Sequence, residues 1–281
     1  MEQVDNPLVR PMKQALLPLL AIALAACQSR PDSTASTQTA AQPDTLTYEI
    51  RTYEARSQRC VKPDSLCAVA SFKYPLFSGD AFRALSDSLR ADVISMAAAE
   101  GDPDLRARSL EEAAKNFTGT FDEAIAVASR DSIPFSQTWS LEIKTEVLRQ
   151  TPTWVSVAHN FYVYSGGAHP NHATRYVNYD RATGHRLTLA DLFQPDFEKT
   201  LTGIAERHFR QQEGLKPGQS LKEDYFFENG TFRLNDNFTL TATGLKFLYN
   251  PYEIKPYAAG ETELEVPFSE LEGILKKDAI R

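Results

Sequence analysis

The sequence predicts an α+β fold of two lobes, with mostly antiparallel sheets and packed helices. Two observations carry that expectation. Apolar residues recur at helical spacing between residues 79 and 125, and from residue 137 the period changes to two. Helices are also grouped between blocks of short strands joined by turns, which speaks against alternating βαβ units.

The elements follow in order. Leu46 to Ile50 alternates like a strand, and Ala68 to Tyr74 (AVASFKY) reads as its partner, with Pro75 expected to end the ladder. Phe82, Leu85, Leu89, Val93 and Met96 mark one face of a helix over residues 79–100, with Ser78 as N-cap and Gly101 just past its end. Ser109-Leu-Glu-Glu112 is a capping box that opens a second helix, with Phe117, Phe121 and Ile125 on one face. Trp139, Leu141 and Ile143 then alternate with polar neighbours, and Thr151-Pro152 marks a turn. On the next strand Val155, Val157, His159, Phe161 and Val163 share one face. Trp154, Ser156, Asn160, Tyr162 and Tyr164 share the other.

After a Gly-Gly corner, Thr174 to Tyr179 reads as the returning strand and residues 181–186 as a hairpin loop. A helix over Asp196 to Gln212 buries Phe197, Leu201, Ile204 and His208 or Phe209. Short strands follow at 238–242, 245–249 and 262–266, and Ser269-Glu-Leu-Glu272 is expected to cap a final helix.

The N-terminus reads as a leader. Met12-Lys13 precedes the apolar run QALLPLLAIALAA, too short to span a bilayer, which needs about 20 apolar residues. Leu24-Ala25-Ala26-Cys27 resembles a bacterial lipoprotein lipobox, which implies a signal peptide over residues 1–27, acylation of Cys27 and a membrane anchor through that lipid. MEQVDNPLVRP lacks leader character, so Met12 is an alternative start. Gln28 after the cysteine fits outer-membrane, periplasm-facing sorting in a Gram-negative cell. Residues 28–44 lack large apolar side chains and read as a flexible tether, reaching roughly 55 Å at ~3.3 Å per residue.

Net charge is −7 at pH 7, and the leader contributes two residues of each sign, so the balance argues against nucleic acid as a partner. Cys60 and Cys67 remain as an even pair, most simply a structural disulfide in an exported protein. No motif requires a cofactor: GxSxG, HExxH, Walker and dinucleotide patterns are all missing.

The candidate chemistry centres on VYSGGAHPNHAT, residues 163–174. Gly166 and Gly167 suit positive φ, close backbone approach or an anion nest. His169 and His172, with His159 across the corner, are weak metal candidates: Pro170 breaks any helix, and no carboxylate is positioned to complete a shell. Ligand-binding candidates are Tyr162, Tyr164, Gly166, Gly167, His169 and Asn171, joined by Tyr252, Glu253 and Tyr257 from YNPYEIKPYAAGE (249–261). Tyrosine-rich surfaces of this kind recognise proteins or sugars, each ring combining apolar area with a hydroxyl.

YSGGAHPN, then NYDRATGHRLTLADLF (178–193) and LKFLYNPYEIKPYAAG (245–260), resemble the RsiV-like C-terminal domain, a domain of unknown function in bacterial exported proteins. ASFKYPLF (70–77) before a long helix resembles the PdaC-type N-terminal module that accompanies it. The resemblance implies an N-terminal module over 45–152 and a C-terminal domain over 153–281. It also implies lysozyme or another envelope protein, or peptidoglycan, as possible partners. The metal motifs of the deacetylase domain are not matched. Thr120-Phe-Asp-Glu123 lacks the needed glycine, and no cytoplasmic sigma-binding segment precedes the leader. The expected function is therefore a lipid-anchored, non-catalytic binding module. Alternatives are a glycan hydrolase pairing His169 with Glu253 or Asp191, or a structural lipoprotein.

Overall fold

The computed structural model describes residues 46–60, 67–99, 107–131, 138–277 and 279–280. The leader, Cys27, the tether and Gly101 lie outside them. Helices and two sheets make an α+β fold.

The larger sheet has five strands in the order β1-β2-β3-β4-β5. These are β1 (Tyr48–Arg56), β2 (Val69–Phe77), β3 (Ser140–Gln150), β4 (Trp154–Tyr164) and β5 (Asn171–Asp180). Neighbours pair antiparallel except β2 and β3, which run parallel because α1 (Arg83–Ala98) and α2 (Leu110–Arg130) intervene. The helical stripes meet the inward strand residues in one core: Leu85, Leu89, Val93, Phe117 and Phe121 pack with Phe72, Leu141, Ile143, Val155 and Val157. The boundary expected at 152/153 falls in the turn between β3 and β4.

A second core surrounds the smaller sheet of β6 (Phe238–Leu240), β7 (Gly244–Tyr249) and β8 (Thr262–Pro267). Its helices are α3 (Leu189–Leu192), α4 (Glu198–Gln212) and α5 (Phe268–Leu271), and α4 buries Leu201, Ile204 and Phe209 as its spacing demands. Asn178 of β5 joins the sheets: its Nδ2 donates to the Phe238 carbonyl at 2.9 Å, and its Oδ1 accepts from the Leu240 N–H at 3.1 Å. The outer face of β4 is consequently buried at Trp154 and Ser156 rather than solvated.

Several local expectations need correction. Pro75 does not end β2, which continues to Phe77 opposite Tyr48. β3 pairs only as far as Lys73, and the Phe77 N–H points away from β1 to Ser86 Oγ. Amide directions alternate, so the Pro75 nitrogen lies on that same unpaired side, where a missing donor costs nothing. Ser78 caps no helix: a short 3₁₀ turn over Asp80–Phe82 intervenes, and α1 starts after Phe82 without a side-chain cap. Ser109 does cap α2, accepting from the Glu112 N–H, while Glu112 reaches back to the Arg108 N–H. The last helix starts at Phe268 after Pro267, with no side-chain cap from Ser269. Cys60 and Cys67 form the expected disulfide. That bond fits an extracellular or periplasmic protein. Among the described residues no helix is long and apolar enough to cross a membrane.

Candidate functional site

The Gly-Gly corner is where β4 turns into β5. Gly166 and Gly167 have φ of +97° and +101°, values that L side chains rarely adopt. A Cβ on Gly167 would meet nothing within 4 Å, so conformation and not close backbone approach requires that glycine. With both φ positive, the pair lacks the αR–αL alternation of an anion nest. Tyr164 closes the corner from one side, its hydroxyl donating to the Gly167 carbonyl at 3.1 Å.

Beyond the glycines the corner meets the turn that follows β7. His169 stacks on Tyr257 with centroids 4.3 Å apart, and Tyr252 lies 5.4 Å from Tyr257 and 6.4 Å from His169. His172 approaches Tyr257 edge-on at 5.5 Å. Tyr162 stands opposite His172 in the β4–β5 register and so shares its face. Rings from positions more than 80 residues apart thus form one surface.

Hydrogen bonds fix the ring orientations. His169 Nδ1 lies 2.8 Å from the Pro170 carbonyl, which makes it the donor and leaves Nε2 to accept from the Tyr252 hydroxyl at 3.4 Å. The Tyr257 hydroxyl donates to the Pro170 carbonyl at 3.2 Å, leaving its oxygen to accept from His172 Nδ1, also at 3.2 Å. Neutral oxygens therefore engage these imidazole nitrogens.

The three histidines do not converge on a metal. His172 lies on the face of Tyr162, whereas His159 points the other way, into the main core. His159 is fully buried, its Nδ1 is 2.8 Å from Thr145 Oγ1, and burial pushes the imidazole down to about 3, with the Arg175 charge a lesser cause. Among the described residues no group of three or more His, Cys, Asp or Glu is placed to hold a metal ion.

Neither carboxylate considered for acid–base work is hydrogen-bonded to His169. Asp191 accepts from the Thr188 N–H at 2.8 Å and Thr188 Oγ1 at 2.7 Å, bonds that hold its carboxyl below the usual range, and its imidazole neighbour is His185 at 3.6 Å. Glu253 accepts from Asn235 Nδ2 at 2.6 Å and from the Asn250 N–H at 2.9 Å. Asn171 opens β5, is exposed, and lines the same cleft as Glu253.

A cleft of about 1090 Å³ continues from Asn171 along the edge of β5, bounded by Thr174, Asn237, Asn250 and Glu253 and floored by Leu189, Phe197 and Leu234. Sequence reasoning missed the asparagines that shape it. Asn237 stands in none of the motifs above, and Asn250 enters only as a neighbour of the tyrosines. A lone asparagine gives no periodic signal that would reveal a grip on a distant strand.

Residues 61–172 match the family described as Deacetylase PdaC, and residues 190–269 match DUF3298, described as a protein of unknown function. The chain carries a PdaC-type module followed by a DUF3298 segment. The Gly-Gly corner belongs to the PdaC match and the YNPYEIKPY tyrosines to the DUF3298 match, so the ring cluster joins the two. The fold is that of a DUF3298 family member from Bacteroides fragilis, with a TM-score of 0.65 and 22% identity over 85% of this chain and 97% of that one. A DUF3298 protein from Pseudomonas aeruginosa aligns equally well, with a TM-score of 0.65 and 20% identity over 84% of this chain and 97% of that one. The immunogenic protein MPT64 of Mycobacterium tuberculosis is 28% identical over 41% of this chain. The chain spans about half (49%) of MPT64's length. The peptidoglycan-N-acetylmuramic acid deacetylase PdaC of Bacillus subtilis is 23% identical over 50% of this chain and 30% of its own length.

Proposed function

We propose that this protein is an exported, lipid-anchored module of the cell envelope that binds a ligand at the Gly-Gly corner without transforming it. One observation carries the reading: the corner gathers Tyr162, His169, His172, Tyr252 and Tyr257 on one surface, and the His169 nitrogens are held by neutral oxygens. Aromatic rings with hydroxyl tips suit recognition. A histidine–carboxylate hydrolase needs the imidazole and a carboxylate within reach of one substrate, whereas Glu253 and Asp191 are both hydrogen-bonded elsewhere. That geometry favours binding over a hydrolase pairing His169 with Glu253 or Asp191. Peptidoglycan is the first ligand to test, because the Bacillus subtilis relative's name carries that substrate. Lysozyme is the second.

The test is retention of the chain on purified peptidoglycan and on immobilised lysozyme. The expected result is co-sedimentation with peptidoglycan that is lost in a His169→Ala, Tyr257→Ala double variant. Retention by neither support would contradict the reading. Anchoring is tested separately by incorporation of labelled fatty acid, expected in the wild type and lost in Cys27→Ser.

A further inference from the structure

Tyr252 combines two properties that ordinary packing does not explain. Its side chain is 55% exposed, yet its backbone sits at φ +70°, a left-handed conformation that costs a non-glycine residue energy. The surrounding turn imposes that conformation. Tyr252 N–H donates to the Lys255 carbonyl and Glu253 N–H to the Asn250 carbonyl, each at 3.1 Å. The Glu253 carboxylate clamps the turn from outside through Asn235 and the Asn250 N–H. Strain held by several bonds to present one exposed ring marks a contact position.

We propose that Tyr252, with His169 and Tyr257, forms a stacking subsite for a pyranose ring of a glycan strand, and that the cleft along β5 takes the continuing chain. This rests on the glycan-binding reading above. A pyranose offers one face of axial C–H bonds, which packs on an aromatic ring, and a rim of hydroxyls that needs neutral donors and acceptors. The corner supplies both. Tyr252 is tilted 36° to Tyr257, giving two ring planes that meet at an angle. The Tyr252 and Tyr257 hydroxyl oxygens keep lone pairs beyond the bonds they donate to His169 and Pro170, and the exposed Asn171, next in the chain, lines the cleft. Glu253 is spent on the turn, so it acts as a positioning residue and not as a contact for a charged partner.

The test is calorimetric titration of the intact chain with a soluble N-acetylglucosamine tetramer, using wild type, Tyr252→Ala and Tyr252→Phe, with peptidoglycan sedimentation and a lysozyme titration alongside. Tyr252→Ala is expected to weaken oligosaccharide binding about tenfold while Tyr252→Phe, which keeps the ring, stays within about threefold of wild type. Circular dichroism should show both variants folded. Wild-type affinity in Tyr252→Ala, with sedimentation intact, overturns the subsite and leaves the glycan-binding reading standing. No binding of wild type to either glycan, even where lysozyme is bound, overturns peptidoglycan as the ligand and the subsite with it.

Discussion

The Thr174 N–H donates to Asn250 Oδ1 at 2.7 Å, and Asn250 Nδ2 donates back to the Thr174 carbonyl at 3.2 Å. One side-chain carboxamide thus serves β5 as a residue of a neighbouring strand would. Asn237 repeats the device, accepting from the Tyr176 N–H at 2.7 Å and donating to the Thr174 carbonyl at 2.8 Å. β5 is an edge strand, and such edges invite unwanted pairing unless covered. Asn250 also sits two residues before Tyr252, so the contact that closes the sheet edge helps to set the turn presenting that ring.

Asn250→Ala should therefore cost about 1–3 kcal/mol, the range for stripping a partner from a part-buried polar group. Asn237→Ala should cost a similar amount. The double variant should exceed the sum, because either carboxamide alone still serves the Thr174 carbonyl and only their joint removal leaves it without a donor. Urea unfolding of the four proteins measures this, and strict additivity would show that the two contacts are independent.

His159 makes stability depend on pH. Its imidazole is pushed down to about 3 in the fold, against about 6.5 when unfolded. Below the unfolded value the denatured chain takes up a proton that the native one refuses, so stability falls as pH drops through that window. The loss attributable to this group is up to ~1.4 kcal/mol per pH unit. His159→Gln removes it, so the stability of wild type relative to the variant should decline between about pH 6.5 and pH 4. Parallel pH profiles would contradict the assignment.

Two glycines should respond in opposite directions to alanine. A Cβ on Gly244 would lie 2.2 Å from the Val266 carbonyl oxygen across the β7–β8 ladder, and backbone there cannot yield cheaply. Gly244→Ala should cost more than about 2 kcal/mol. Gly203, in the middle of α4, has nothing within 4 Å of such a Cβ, so Gly203→Ala should stabilise by about 0.5–1 kcal/mol. Thermal denaturation of the two variants decides both.

Much of this fold was legible in the sequence because burial imposes periods. The alternation at Val155, Val157 and His159 and the stripe at Phe117, Phe121 and Ile125 point inward as their spacing requires. What failed was local or long-range. Pro75 was misplaced because strand ends depend on which neighbour is present, and Ser78 because a 3₁₀ turn can enter a helix uncapped. The corner was legible as a Gly-Gly turn, and the tyrosines as a cluster. Their meeting was not derivable from spacing, since Asn237 and Asn250 join segments more than 60 residues apart through single carboxamides.

The decisive measurement is an NMR titration of the isotope-labelled chain with soluble peptidoglycan fragments. The expected result is a set of saturable shifts centred on Gly166, Gly167, His169, Tyr252 and Tyr257, extending along the cleft to Thr174. Shifts confined to β1 and β2 at the opposite edge of the sheet, or none at saturating ligand, would contradict the corner as the binding surface.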